Sequence, residues 1–477
     1  MTFIQTVRIG IITLVPFFQA VTAVSAAEAP MSLADCIATA VRENRTIKNA
    51  YLDRIVQKYD LRVAEDKFNP KLVLSPGVQA SGGSGTMPNI AVADVSGTVT
   101  EQLPTGAAIS LSAKHIFTSM DNVHPTRAYG WDISLTQPLL KGAGFEVNAA
   151  SITSARRNEL SNILSLKATL MDTLTSVVTA YRSYIQAIKS LEISRQSLVR
   201  SRELIETNKE LIAAGRMAAI ESVQSEADVA NKEFSLLSTE NAVSAARLAL
   251  TKAIDIDKNS VITPIEETRI PPVPYRLEQA KKLAFENRTD YQSSLLGYEN
   301  AKMQLVIAKN STLWDLSLTG GYGEIYTREG APGSNSFGGA WSAGLKLSVP
   351  IGDLSIQQGL LSSEIALKKL EHDMARQRDN IEIEVQDALR SAEMNLRQIK
   401  LATLSRTLTE QKVEIETDKL KAGRSTNFQL VSFQNDLVNA RNGELDATIT
   451  YLNALTSLDR TLGITLDTWG VSLAERK

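Results

Sequence analysis

The sequence contains one cysteine, Cys36, so no intramolecular disulfide can form. Its three histidines, His115, His124 and His372, join no Cys/His ligand cluster, and transition-metal sites of the usual spacing are excluded. Aromatic residues make up only 5% of the 477 positions, which argues against several large globular cores. Net charge is -2, with neither a basic tract nor an acidic tail, so no nucleic-acid partner is expected. Past the N-terminus no segment offers about 20 consecutive apolar residues. A membrane role would therefore rest on strands. Proline is absent between Pro138 and Pro264.

That proline-free interval is helical. Leu160, Ile163/Leu164, Leu170/Met171, Leu174, Val177/Val178, Tyr181, Tyr184/Ile185, Ile188 and Leu191 form an apolar seam, continued at sevens by Leu198, Ile205 and Ile212. Alternating three-four spacing marks a helix packed in coiled-coil fashion. The pattern predicts a helix from Asn148 to Ala213, a turn at Ala214-Gly215-Arg216, and a return helix to Ile254. At about 1.5 Å per residue the first arm is a rod of roughly 100 Å, longer than a compact domain requires.

At the N-terminus Arg8 precedes an apolar run, Ile9 to Phe18, and small residues end in Val24-Ser25-Ala26. Residues 1–26 read as a secretory signal peptide. In Leu33-Ala34-Asp35-Cys36, Asp35 stands where a lipidation box needs a small residue, so Cys36 is expected as an apolar position of a helix opening at Ser32. A further helical pattern runs from Thr46 to Phe68. Leu72 to Gln79 reads as extended, followed by strands at Val95 to Leu103 and Ala107 to His115 around Pro104-Thr105-Gly106. In the clearest strand Tyr129, Trp131, Ile133 and Leu135 alternate with Gly130, Asp132, Ser134 and Thr136 before Pro138.

The second half of the chain repeats this plan. Glu43-Asn44-Arg45-Thr46 recurs as Glu286-Asn287-Arg288-Thr289, offset by 243. The strand before Pro138 recurs before Pro350, offset by 212, where Trp341, Ala343, Leu345 and Leu347 alternate with small or polar residues. Ala214-Gly215-Arg216 recurs as Ala422-Gly423-Arg424, offset by 208. Pro70 to Pro138 spans 68 residues where Trp314 to Pro350 spans 36, so the first strand region is the longer. Its extra length either extends a hairpin outside the sheet or makes unusually long strands. The expected organisation is a first repeat at 27–263, a linker at 264–274 and a second repeat at 275–477.

Strands with one apolar and one small or polar face suit a barrel wall between lipid and water, or an ordinary sheet over a core. About four principal strands are expected. Four cannot close a water-filled barrel, and unpaired edges are not tolerated in lipid. A symmetric ring of copies solves both problems.

With these features the sequence resembles the outer membrane efflux protein family, the TolC-like channels. The resemblance rests on the twofold repeat, the Gln137-Pro138-Leu139-Leu140 and Val349-Pro350-Ile351 strand-to-helix junctions, and the two Ala-Gly-Arg tips. It implies a mixed α and β fold, mainly long α-helices. A trimeric twelve-stranded outer membrane β-barrel near 70–138 and 314–350 would be continued by a twelve-helix periplasmic tunnel near 148–254 and 354–462. It also implies a periplasmic adaptor and an inner-membrane pump as partners. Gly215, Arg216, Gly423 and Arg424 would mark the periplasmic tips that dock the adaptor. Family tunnels often narrow at acidic side chains just beyond the second tip, where this chain has Gln429 and Ser432; Glu221 is the nearest acidic substitute. Trp131 and Trp341 are candidates for an interfacial aromatic belt.

No catalytic pattern stands out. Gly142-Ala143-Gly144 lies between a strand and a helix, but Val147 occupies the third glycine position of a phosphate loop, leaving a turn. Carboxylates on the helices are intermixed with Lys and Arg, as on solvated faces. No enzyme and no cofactor is expected. Two classes remain, a passive outer membrane conduit and a periplasmic coiled-coil scaffold or adaptor with a soluble sheet.

Overall fold

The structure is a computed structural model that describes residues 29–82, 89–260, 262–265, 269–329 and 335–472. The signal-peptide expectation at 1–26 lies outside the described residues. β1 (Ala29–Met31) precedes α1 (Leu33–Glu43), which begins at a reciprocal cap. The Ser32 hydroxyl accepts the Asp35 amide at 3.2 Å, and the Asp35 carboxylate accepts the Ser32 amide at 3.0 Å. Cys36 is fully buried in the core, as expected of an apolar helix position. Asn44 ends α1 and caps α2 (Arg45–Glu65), its side chain accepting the Thr46 amide at 2.8 Å.

Four strands follow: β2 (Lys71–Ser81), β3 (Ile90–Gln102), β4 (Ala108–Met120) and β5 (Val123–Pro138). The chain then forms α3 (Phe145–Ala213), α4 (Glu221–Ile254) and β6 (Ile262–Pro264), the last pairing in parallel with β1. The second half supplies α5 (Leu277–Asn287), α6 (Thr289–Ser311), β7 (Asp315–Glu329), β8 (Asn335–Ser348), α7 (Leu354–Lys421), α8 (Asn427–Leu462) and the short α9 (Thr465–Thr468). Helix therefore predominates, with both long hairpins ending at the expected turns.

The strand count departs from expectation: six strands, not four, form one antiparallel sheet in the order β2-β3-β4-β5-β7-β8. β3 coincides with the strand expected at Val95 to Leu103; the strand without a sequence signal is β7, where Gly320, Gly321 and Gly323 interrupt the alternation. The longer first strand region consists of an additional hairpin inside the sheet rather than a projection. Its turn at Pro104-Thr105-Gly106 lies at the helical end, where the Gly144 amide donates to the Thr105 carbonyl at 3.1 Å.

Cross-strand register gives the sheet two continuous faces. Leu72, Val99, Leu111 and Ile133 stand in line on one face, joined across β7 by Tyr322 and on β8 by Trp341. The opposite face carries Ser75, Ser96, Thr98, Ser112, Asp132 and Gly323. Both edge strands, β2 and β8, are exposed along nearly their whole length.

Near the sheet the helices pack in the order α2-α3-α6-α7; farther away the order is α4-α3-α8-α7. Arg54 of α2 pairs with Glu159 of α3, while Arg157 of α3 donates to the Glu299 carbonyl of α6 at 3.1 Å. The main core joins α1, α3 and α4 around Leu170, Met171, Leu174, Val178, Tyr181 and Ile254. A second core joins α5, α7 and α8 around Ala284, Ile381, Val385 and Leu458. Part of the expected α3 seam is displaced: Leu160 is exposed, and Ile205 and Ile212 are only half-buried. Beyond Leu191 a buried polar ladder of Ser194, Ser201 and Asn208 runs beside the seam position Leu198, which is buried as expected.

Gly106 sits at φ +96°, and a Cβ there would lie 2.3 Å from the Gly142 carbonyl oxygen. Gly106→Ala is expected to destabilise the strand-to-helix junction by at least about 1–3 kcal/mol, since both backbone strain and a backbone clash oppose the methyl group. The check is thermal unfolding of the purified protein; an unchanged midpoint would mean the junction does not hold the turn.

Candidate functional site

Each long helix ends in the same backbone arrangement. The Arg216 amide donates to the Leu211 carbonyl at 2.8 Å and the Gly215 amide to Ile212 at 2.9 Å; Arg424 donates to Lys419 at 2.8 Å and Gly423 to Leu420 at 3.0 Å. This is the Schellman pattern, which needs a left-handed residue after the helix. Gly215 and Gly423 supply it at φ +67° and +68°. The space beside both glycines is open and Arg216 and Arg424 are exposed, so each tip presents backbone and positive charge to its surroundings.

Behind the tips lies a polar node that ties the two hairpins together. The Asn208 side-chain amide donates to Ser225 Oγ at 2.6 Å and to Asn427 Oδ1 at 3.0 Å. Asn427 Nδ2 donates to Ser225 Oγ at 2.9 Å and to the Glu221 carbonyl at 3.3 Å. All three side chains are buried. About two helical turns away, Ser201 donates to Asp228 at 2.6 Å, and Lys232 bonds Asn435 across to α8. In the second hairpin Glu416 takes the Ser425 hydroxyl at 2.5 Å and Lys419 Nζ at 3.1 Å. The Ser425 bond first, and Lys419 after it, hold the Glu416 carboxyl below its ordinary range.

The sequence reading missed Asn208, Ser225 and Asn427. The signal was present in the strict seven-residue spacing of Ser194, Ser201 and Asn208, midway between the apolar sevens. Of the three aperture candidates, Glu221 opens α4 and meets the node through its carbonyl; its Oε2 is buried with no hydrogen-bond partner among the described residues. Gln429 lies in the first turn of α8, its amide accepted by Thr426 Oγ1 at 3.2 Å, and Ser432 follows within the next turn. Both are half-buried.

On the apolar sheet face Trp131 and Tyr322 have ring centroids 5.6 Å apart, and Tyr129 and Tyr326 4.8 Å apart. Trp341 is the register partner of Tyr322, and Phe337 of Tyr326. Trp131 is 40% and Trp341 78% exposed, so these are surface aromatics. Arg127 and Arg328 close the face beyond them as a register pair. From Tyr129 to Leu135 the apolar band is about 20 Å tall at roughly 3.3 Å per residue, close to the lipid-facing band of a transmembrane barrel.

A cavity of about 500 Å³ lies between α3, α8, α9 and the segment from Arg269 to Tyr275. Burial pushes the Asp459 carboxyl at its wall up to about 6, against the opposing pull of Thr468 and Arg182.

The sequence profile described as Outer membrane efflux protein matches residues 36–254 and 281–464. The chain belongs to the outer membrane efflux protein family. As an efflux channel protein of the outer membrane it is no periplasmic scaffold, and that alternative falls. A search of curated proteins gives no match. Solved structures share the fold: CusC at 15% identity and TM-score 0.70, over 91% of this chain and 93% of that one. The outer membrane protein VceC of Vibrio cholerae aligns at 17% identity and TM-score 0.69, covering 90% of this chain and 96% of its own. The CmeC outer membrane channel of Campylobacter jejuni follows at 14% identity and TM-score 0.66, with 91% and 86% covered. In this efflux protein one stretch of α3 is apolar enough by length and composition for a membrane-spanning helix. The apolar residues from Leu170 to Tyr181 nonetheless belong to the helical core, and the sheet carries an exposed apolar face.

Asn427→Ala leaves Asn208 and Ser225 short of partners, and should cost about 1–3 kcal/mol. Hydrogen exchange in the peptides covering Asn208 and Ser225 should accelerate; unaltered exchange would show that the node does not join the hairpins. Asp459 has a folded pKa of about 6 against an ordinary 3.8. The folded state therefore binds the extra proton between these values, and the associated stability is full below about pH 4 and lost as pH rises through about 6. Asp459→Asn should flatten that part of the stability profile by about 3 kcal/mol, measured by denaturant unfolding at a series of pH values.

Proposed function

We propose that this efflux protein acts as a homotrimer, conducting substrate passively from a periplasmic assembly to the exterior. The carrying observation is that one chain is a strip of wall with two unfinished sides. β2, α2 and α4 lie on one side, β8 and α7 on the other. Large exposed apolar residues concentrate there: Leu52, Ile55 and Tyr59 on α2, Phe234 and Leu237 on α4, and Leu361, Leu401, Leu404 and Leu408 on α7. The inner helices α6 and α8 expose almost none of this kind. Such stripes suit contact with neighbouring copies.

Four helices abreast from each of three copies make a twelve-helix tunnel, and the sheets close into a barrel in the outer membrane. The internal repeats, 27–263 and 275–477 with their linker at 264–274, then place two hairpins per chain around the tunnel. The apolar sheet face meets lipid, with Trp131 and Trp341 in an aromatic girdle. Gly215, Arg216, Gly423 and Arg424 form the tips that dock a periplasmic adaptor, which connects the channel to an inner-membrane pump that supplies the energy. Glu221, Gln429 and Ser432 line the aperture, which is neutral at Gln429 and Ser432 and so lacks an acidic gate there. Opening moves the paired helices near the tips apart.

Outer membrane fractions should contain heat-resistant trimers, whereas a soluble periplasmic monomer would defeat the reading. Cysteines introduced at neighbouring tips and crosslinked should abolish export of a transported dye, and undiminished export would refute tip opening.

A further inference from the structure

The first half of the chain crosses the sheet four times between α2 and α3, and the second half only twice between α6 and α7. The difference between the spans Pro70–Pro138 and Trp314–Pro350 is 32 residues, and β3 to β4 occupies Ile90 to Met120. The extra chain is thus one complete hairpin. It begins and ends at the same side of the sheet, so its insertion leaves the directions of β2 and β5 unchanged.

This hairpin is continuous with the wall on every criterion the sheet offers. β3 pairs with β2 from Ile90 to Thr100, and β4 pairs with β5 from Ala108 to Met120 with one irregularity near Thr118. Val99 and Leu111 extend the apolar face; Thr98 and Ser112 extend the polar face, their hydroxyls 3.3 Å apart. Among the described residues neither strand has a free edge, since the sheet ends at β2 and β8. Leu72 and Leu74 on β2 and Leu345 and Leu347 on β8 share the apolar face and are exposed, so both edges are finished in the same way for a like neighbour.

From this we infer that the membrane wall is an eighteen-stranded barrel, six strands from each of three copies, in place of the twelve that the family resemblance implies. The occupant of each edge is a second copy of this chain, β2 of one pairing with β8 of the next. The inference rests on the trimer reading for its copy number and on the sheet for its strand number. Barrel diameter grows roughly linearly with strand number, so the lumen is about one and a half times as wide as that of a twelve-stranded wall. Its polar face carries mostly small or β-branched side chains, Ile116 and Ile325 among them, with Asp94, Lys114, Asp132 and Lys346 as spaced charges. The outlet therefore admits bulkier cargo than a barrel of four strands per chain.

The test uses the full-length protein in liposomes, with single cysteines at Val99→Cys and Leu111→Cys, and at Thr98→Cys and Ser112→Cys, each carrying an environment-sensitive fluorophore. Cys36 is buried and serves as the unlabelled background. Spin-labelled lipid should quench the first pair several-fold more than the second, and aqueous iodide the reverse. Equal aqueous quenching at all four would remove the hairpin from the wall and overturn the inference. Native mass spectrometry of the same samples counts copies. A trimer with the alternating pattern gives eighteen strands; any other copy number overturns the count and the trimer reading together, while a trimer without alternation overturns the inference alone.

Discussion

Backbone amides and carbonyls inside a bilayer have no water to bond, and this constraint governs the rest of the molecule. A sheet that faces lipid must have no edge, yet the chain presents two, β2 and β8. Everything lateral in the structure follows the same division. α2 and α4 continue the β2 side, α7 continues the β8 side, and both flanks expose apolar stripes that an isolated molecule would keep from water.

The helices convert this lateral incompleteness into length. α3 and α7 are 69 and 68 residues long, so both hairpins reach the same depth before their glycine caps. The packing changes along that depth. In the middle the seam is apolar and close-packed, from Leu170 to Tyr181. Toward the tips buried polar side chains, Ser201, Asn208, Ser225 and Asn427, accompany an apolar cluster of Leu204, Val413, Leu420 and Leu430. A buried hydrogen-bond network of this kind holds the two hairpins in one arrangement.

Much of this was legible in the sequence for identifiable reasons. Gly215 and Gly423 fixed the helix ends because no other residue takes the left-handed position so readily. Trp131 and Trp341 marked their strands through alternation, and the Asn44 and Asn287 turns marked equivalent helix joints. The hidden parts were those where side chains carry little pattern. β7 is broken by glycines, so no alternation marked it as a strand. Ser194, Ser201 and Asn208 resemble a solvated helix face until their spacing is set against the apolar sevens. The stripe of Leu52, Ile55, Val56, Tyr59 and Val63 on α2 has the periodicity of a buried face but is exposed.

The most direct measurement is amide hydrogen exchange on the edge strands of the particle purified from the outer membrane. If copies complete the wall, amides of β2 and β8 are hydrogen-bonded on both sides and exchange as slowly as those of β4 and β5. Exchange at β2 and β8 as fast as in the connecting loops would mean that the edges stay open, and would contradict the account.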